Sequence, residues 1–305
     1  MKKSLKTLPL LAVAGLAFTA VTPVLAQEGS IGVVSREDGS GTRGAFVEIV
    51  GVVDEDDNDM TTLDAVIQNS TNGVMQTVAG DVQAIGYISL GSLGDAVKGL
   101  AVDGVEVSSE NVTNGTYPIA RPFNVAWAKD AELSEVAVDF LDFVYSAEGQ
   151  AIVEDNGYVQ VTRSAGEEEA TEEDTEESTE EEVALPSYEA AGVEGTIEVV
   201  GSTSVSPIME KLAEAYSELN EGVTINITSN GSSAGMEAAM NGTADLGMAS
   251  RELADDEKEA LDFDAVAIDG IAVIVNPENP LADISLENVK QVFLGEVTEW
   301  EDVAK

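Results

Sequence analysis

The chain has 305 residues, 44% of them hydrophobic and 24% charged, with 58 acids against 14 bases and neither cysteine nor histidine. The missing residue types exclude disulfides, thiolate chemistry, histidine-ligated metals, histidine-dependent triads and lipid attachment through an N-terminal cysteine. A formal charge of −44 argues against nucleic acid and anionic membrane surfaces as partners, and the apolar content suits one large or two ordinary globular domains.

Lys2, Lys3 and Lys6 form a basic start, residues 8–21 are apolar, and Val24-Leu25-Ala26 precedes Gln27. This pattern predicts a signal peptide over 1–26, cleaved near Ala26, and an extracytoplasmic or secreted mature chain, at a cell surface or in a periplasm. No later stretch is long and apolar enough to span a bilayer.

Beyond it the chain alternates short β-rich runs with amphipathic stretches. Residues 31–34 read as a strand, 35–44 as a loop rich in Gly, Ser and Thr, and 45–50 as a helix. A strand over 84–88 follows, then a helix over 137–146 with Phe140, Leu141, Phe143 and Val144 on its apolar side. Residues 167–182 hold 11 acids in 16 positions without apolar periodicity, so 164–192 is expected to be a disordered, self-repelling acidic linker between folded regions at 29–163 and 193–305. In the second region 196–200 is a strand, 201–204 a turn, and Pro207 opens a helix through Ile208, Leu212, Ala215 and Leu219. Residues 223–228 form another strand, and Asn230-Gly231-Ser232-Ser233-Ala234-Gly235 leads into a helix from Met236. A short strand over 244–249 ends at Ser250-Arg251, and 271–275 is an apolar strand stopped by Asn276-Pro277. This alternation predicts an α/β fold.

One arrangement recurs: a strand ends, a loop of Ser, Thr and Gly follows, and a helix begins. Helix N-termini present unpaired N–H groups and partial positive charge, glycine lets the backbone approach a ligand, and hydroxyls add donors. Any one such loop reads as an ordinary N-cap; four together could surround an oxyanion. Arg36 and Arg43 flank one loop in a chain poor in bases, and a guanidinium fork suits a tetrahedral oxyanion, with Asp38 close enough in sequence to brace Arg36.

Four motifs carry a resemblance. Ser35-Arg36-Glu37-Asp38-Gly39-Ser40-Gly41-Thr42-Arg43-Gly44 resembles the anion loop of phosphate-binding proteins of ABC transporters. Gly201-Ser202-Thr203-Ser204-Val205-Ser206-Pro207, Ser229-Asn230-Gly231-Ser232-Ser233-Ala234-Gly235 and Ala244-Asp245-Leu246-Gly247-Met248-Ala249-Ser250-Arg251 resemble that family's other three phosphate loops. The resemblance implies a two-lobed, type II periplasmic binding protein-like fold with inorganic phosphate in the interlobe cleft. It also implies delivery to the membrane permease subunits of a phosphate ABC transporter, a monomer and no cofactor. By this resemblance Arg36 gives the charged contact with Asp38 bracing it. Ser40, Gly41 and Thr42 add hydroxyl and N–H donors, Ser204 and the Val205 backbone bind from one loop, and Ser232 binds through its hydroxyl. Where some relatives have an Asp, this chain has Ser250, so a phosphate proton is accepted by Ser250, another group or water.

The order of the halves is exchanged relative to the family, as in a circular permutation or, alternatively, a truncated or fused gene product: 29–163 resembles the family's C-terminal half and 193–305 its N-terminal half. The implied lobes are therefore interleaved in sequence, 193–275 with 119–161 and 281–305 with 29–95. A linker of this length spans roughly 30 Å on average, enough to join the family's usual termini. The alternatives are a binding protein for another tetrahedral oxyanion, or a phosphoesterase-like enzyme using Ser40 or Thr42. The second would have to do its acid–base work with carboxylates alone.

Overall fold

The computed structural model describes residues 28–55, 58–163 and 185–303. The expected signal peptide and the acid-rich run at 167–182 lie outside the described residues.

β1 (Gly32–Arg36) leads into α1 (Gly41–Val50), β2 (Val66–Gln68) into α2 (Thr71–Gly80), and β3 (Ala84–Ser89) follows. Two short strands, β4 (Lys98–Gly99) and β5 (Ala101–Val102), and a one-turn helix, α3 (Ser109–Thr113), precede the long β6 (Ala120–Ala128). Then come α4 (Glu135–Val144), α5 (Ala147–Asp155), β7 (Gly195–Gly201), α6 (Ser206–Leu219), β8 (Val223–Ser229), α7 (Ser232–Met240) and β9 (Leu246–Ala249). The chain continues through α8 (Asp255–Ala260), β10 (Leu261–Val275), β11 (Asp283–Ile284), α9 (Leu286–Leu294) and α10 (Trp300–Val303).

The main sheet runs β2-β1-β3-β10-β6-β9-β7-β8, with β4 added on β10. β1 pairs in parallel with β2 and β3, and β7 in parallel with β8 and β9, so each end of the sheet is a parallel α/β unit. Between them β10 runs antiparallel to both β6 and β3. Its first part pairs with β6 as far as Gly270 opposite Ala120; from Ile271 it pairs with β3.

Two lobes follow from this. One core gathers Phe123, Phe140, Phe143, Ile197, Ile208, Leu212, Tyr216 and Val266. The other gathers Phe46, Tyr87, Ile119, Ile271, Val273, Val275, Phe293 and Trp300. Both halves of the chain feed each lobe, as expected. The boundary differs from the expected one: Ile119 and residues 271–275 belong to the second lobe, because β10 is one strand of 15 residues that passes from one core to the other.

Local chemistry sets the helix starts. Ser40, Ser70, Ser108, Ser134, Ser146 and Ser285 each accept an N–H of their own helix's first turn through the side chain. The expected helix over 45–50 therefore begins at Gly41. The expected helix over 137–146 is α4, which starts two residues earlier and stops at Val144, and Ser146 instead caps the next helix, α5. Phe46 of α1 stacks on Tyr87 of β3 with ring centroids 4.0 Å apart, and Phe293 of α9 closes edge-on at 4.7 Å from Phe46. Such aromatic pairs contribute about 0.5–1.5 kcal/mol beyond area burial, and these fix α1 against the sheet.

Two seams join segments that are apart in sequence. Ile31 N–H donates to Thr298 O at 2.8 Å and Trp300 N–H to Gly29 O at 3.0 Å, so 29–31 runs beside 298–300. On the other lobe, part of the stretch expected to be disordered, 185–192, packs as coil. Ala147 N–H donates to Pro186 O, and the Tyr188 hydroxyl donates to Asp139 at 2.6 Å beside that of Tyr216.

Candidate functional site

The strand-to-helix loops meet where the lobes face each other, at the carboxyl ends of the parallel strands, where open α/β sheets bind ligands. From the second lobe come the loops after β1 and β2. From the first come those after β7, β8 and β9.

Arg36, the last residue of β1, is 2% exposed. Its Nε and Nη2 each donate to Glu37 at 2.7 Å, its Nη2 also donates to Thr203 Oγ1 of the opposite lobe at 3.0 Å, and its Nη1 donates to Thr71 Oγ1 at 3.5 Å. The bracing carboxylate is thus Glu37 and not Asp38. Asp38 is exposed and accepts only from its neighbour Gly39 N–H, because the chain turns away from the guanidinium after Glu37. Arg43 stands apart, paired with Asp59 at 2.6 Å near the surface and donating through Nη1 to Arg36 O.

The buried hydroxyls form two groups, Thr42 and Thr71 with Ser204 across the cleft and Ser202, Ser250 and Ser232 within one lobe, joined through the Ser204 N–H. Thr42 Oγ1 and Ser204 Oγ are 2.6 Å apart, and Thr71 Oγ1 lies 3.3 Å from the same Ser204 oxygen. Ser202 Oγ accepts from Ser204 N–H (3.1 Å) and Val205 N–H (3.4 Å) and donates to Ser250 Oγ at 2.8 Å. Ser250 N–H donates to Ser232 Oγ at 3.1 Å, and the two hydroxyl oxygens are 3.4 Å apart. Gly41 is in the middle: a Cβ there would stand 2.3 Å from Ser232 Oγ and 2.8 Å from Ser250 Oγ, so this approach of α1 to the opposite lobe requires glycine. Ser40 caps α1 and is buried, its oxygen accepting from Arg43 N–H at 3.4 Å.

Of the residues expected from sequence, Arg36, Gly41, Thr42, Ser204, Val205, Ser232 and Ser250 come together; Ser40 supports them as a cap, and Asp38 lies outside. The structure adds Glu37, Thr71, Ser202 and Thr203. Asn69-Ser70-Thr71 follows β2 and opens α2, so it repeats the strand, Ser/Thr loop, helix signal of the other four.

Behind the hydroxyls is a second cation. Arg121 of β6 is buried, with Nη2 and Nε donating to one oxygen of Asp269 at 3.0 and 3.3 Å and Nη1 donating to Ser250 O at 2.8 Å. Ser89 Oγ donates to the other Asp269 oxygen at 2.8 Å. Burial pushes the Asp269 carboxyl up to about 6, against the pull of Arg121 and Ser89. Burial likewise raises the Tyr87 hydroxyl to about 12; it bonds Ser35 Oγ at 2.8 Å and accepts from Arg36 N–H at 3.3 Å, supporting β1 just below the site.

Among the described residues no helix is long and apolar enough to cross a membrane. The site combines one guanidinium, hydroxyls from both lobes and helix N-termini, a set of donors suited to a small oxyanion.

Comparison with known proteins agrees with this geometry. The model of a PBP superfamily domain matches residues 20–148 and 186–305. The chain is 47% identical to phosphate-binding protein PstS 2 of Streptococcus pneumoniae serotype 4, over 278 residues that cover 90% of this chain and 88% of the relative. It is 39% identical to phosphate-binding protein PstS 2 of Streptococcus agalactiae serotype V, over the full length of both. A phosphate-binding protein PstS of Staphylococcus saprophyticus matches over 118 residues at 35% identity, covering 36% of this chain and 37% of that one. The crystal structure of a phosphate ABC transporter phosphate-binding protein from Streptococcus pneumoniae TIGR4 superposes with a TM-score of 0.67 at 47% identity, covering 90% of this chain and all of that one.

Proposed function

The chain belongs to the PBP superfamily, among its phosphate-binding PstS proteins, and from that membership we propose that it captures inorganic phosphate between its lobes outside the cytoplasm and delivers it to the permease subunits of a phosphate ABC transporter. The observation that carries this reading is the buried donor set spanning the cleft, in which Arg36 and Thr42 of one lobe meet Thr203 and Ser204 of the other within 3.0 Å.

An oxyanion entering there exchanges hydroxyl–hydroxyl bonds for hydroxyl–anion bonds. Hydrogen bonds to charged groups contribute about 1.5–3 kcal/mol each against about 1 for neutral pairs, so the exchange favours the anion. The ligand set under this reading is Arg36, Gly41, Thr42, Ser204, Val205, Ser232 and Ser250, with Glu37 bracing Arg36 and Thr71, Ser202 and Thr203 completing the shell. The role is binding rather than catalysis, and residues 1–26 act as a cleaved export signal.

The exchanged order of the halves is part of the proposal. Residues 29–31 lying beside 298–300 supports it, since those segments would be consecutive in the family order. The exchange is relative to proteins such as the staphylococcal one, matched over about a third of each chain, whereas the streptococcal PstS 2 relatives align along nearly their whole length in this chain's order.

Isothermal titration of the mature chain with phosphate, sulfate, arsenate and molybdate tests the function. One phosphate bound per chain, with sulfate far weaker, is the expected result; no phosphate heat, or an equal response to sulfate, overturns it.

A further inference from the structure

The Arg121–Asp269 pair lies at the point where the lobes join. Arg121 and Asp269 are opposite each other across β6 and β10, one register position before Gly270 pairs with Ala120 and β10 passes into the other core. Ser89, the last residue of β3 in that other lobe, holds the second Asp269 oxygen. Asp269 is therefore gripped from both lobes at once, by Arg121 on one side and Ser89 on the other.

The third arm of the guanidinium reaches the anion site. Nη1 donates to the carbonyl of Ser250, and three residues along the same strand Asn124 Nδ2 donates to the carbonyl of Arg251 at 2.9 Å. β6 thus fixes two successive carbonyls of the loop after β9. With its carbonyl drawn towards β6, the Ser250 N–H is free to meet Ser232 Oγ, and its hydroxyl meets Ser202 Oγ and lies under Gly41.

Stability alone is a poor account of this arrangement. A buried ion pair adds little over apolar side chains of similar volume, whereas its directional bonds set geometry. Only arginine has donors pointing three ways from a rigid plane; a lysine holds either the carboxylate or the carbonyl well, not both.

We propose that Arg121 is a positioning residue for anion binding: it aims Ser250 at the cleft, and through Asp269 and Ser89 it ties that aim to the arrangement of the lobes at the crossing of β6 and β10. This rests on the phosphate-binding reading above.

The test is titration calorimetry of the full chain with inorganic phosphate, beside apo thermal unfolding. Removing Arg121 alone strands a buried carboxylate, so the main variant is the double change R121M/D269N. It should unfold near the wild-type temperature yet bind phosphate about tenfold more weakly, the loss expected for one charge-assisted hydrogen bond. R121K should fall between it and wild type. On an S250A background the double change should cost no more than about twofold further, since groups acting through one another are non-additive. A folded R121M/D269N that binds like wild type overturns the proposal, as does an equal penalty with and without the Ser250 hydroxyl. If the double variant does not fold, R121K carries the test, and wild-type affinity in R121K overturns the proposal. A wild-type chain that gives no phosphate heat overturns the binding reading and this inference together; binding in wild type with equal binding in the variants overturns this inference alone.

Discussion

Truncating Arg36 to alanine separates an anion site from an incidental surface charge. Arg36 is 2% exposed and its guanidinium contacts Glu37, Thr203 and Thr71, whereas Arg43, seven residues on, is 22% exposed and pairs with Asp59 at the surface. If phosphate accepts two hydrogen bonds from the Arg36 fork, removal costs about 3–6 kcal/mol, or roughly a hundredfold to ten-thousandfold in Kd. A surface pair such as Arg43–Asp59 contributes about 0–1 kcal/mol, so Arg43→Ala should weaken binding by no more than about fivefold. Arg36→Lys should recover part of the loss through its charge but not the fork. The assay is phosphate titration of the three variants, with apo unfolding temperatures to confirm folding. Similar losses at Arg36 and Arg43, or full rescue by lysine, would refute the assignment of Arg36.

Three further outcomes are expected. Glu37→Gln should weaken phosphate binding by about tenfold, because Glu37 takes two bonds from Arg36, while Asp38→Asn, an exposed change, should alter it by about twofold at most; the reverse order in a titration would restore Asp38 as the brace. Gly41→Ala puts a methyl 2.3 Å from Ser232 Oγ, an overpacking worth about 1–3 kcal/mol, so phosphate should bind about fivefold to a hundredfold more weakly, and unaltered affinity would show that the approach of α1 is dispensable. Deleting 167–182 should leave phosphate affinity within about twofold of wild type, since the run has the composition of a solvated linker; a large loss in a folded deletion variant would count against that reading.

The loops were legible where short strands and turn residues carried strong local signals. The arginine loop, the loop at Ser204 and those at Ser232 and Ser250 all fall where the alternation of β runs and Gly/Ser/Thr clusters puts them. What the sequence hid depends on distance or on weak elements. β2 is three residues long with Val66 and Ile67 exposed, so nothing in its periodicity announces a strand or marks Thr71 behind it as a site residue. β6 carries Arg121, Pro122 and Asn124, which break the apolar pattern of a buried strand, so no strand is assigned there from sequence. Their suitability for a strand rests on partners 127–148 residues away: Asp269 and the carbonyls of Ser250 and Arg251. β9 pairs with β6 only over Asn124–Ala126, so Pro122 lies beyond that ladder. Asp38 failed as the brace for a subtler reason: β1 continues through Arg36, and only the turn after it decides whether Glu37 or Asp38 faces the guanidinium.

The acidity of the chain bears on how such a site can work. A chain with a formal charge of −44 repels anions at long range, but beyond a Debye length of about 8 Å surface carboxylates are largely screened at physiological salt. Within that range the cleft is close to neutral: Arg36 is matched by Glu37, and Arg121 by Asp269. Neither the field of the whole protein nor a local excess of positive charge draws the anion in. What remains is direction: the Arg36 fork, the hydroxyls, the N–H groups and the N-termini of α1, α2, α6 and α7, effective when aimed at one point. Those groups come from both lobes, and Thr42 with Ser204 and Arg36 with Thr203 meet only when the lobes are together. On the proposed function, affinity therefore resides in lobe closure: an open cleft offers a phosphate half of its donors, and the geometry at the crossing of β6 and β10 decides how readily the other half arrives.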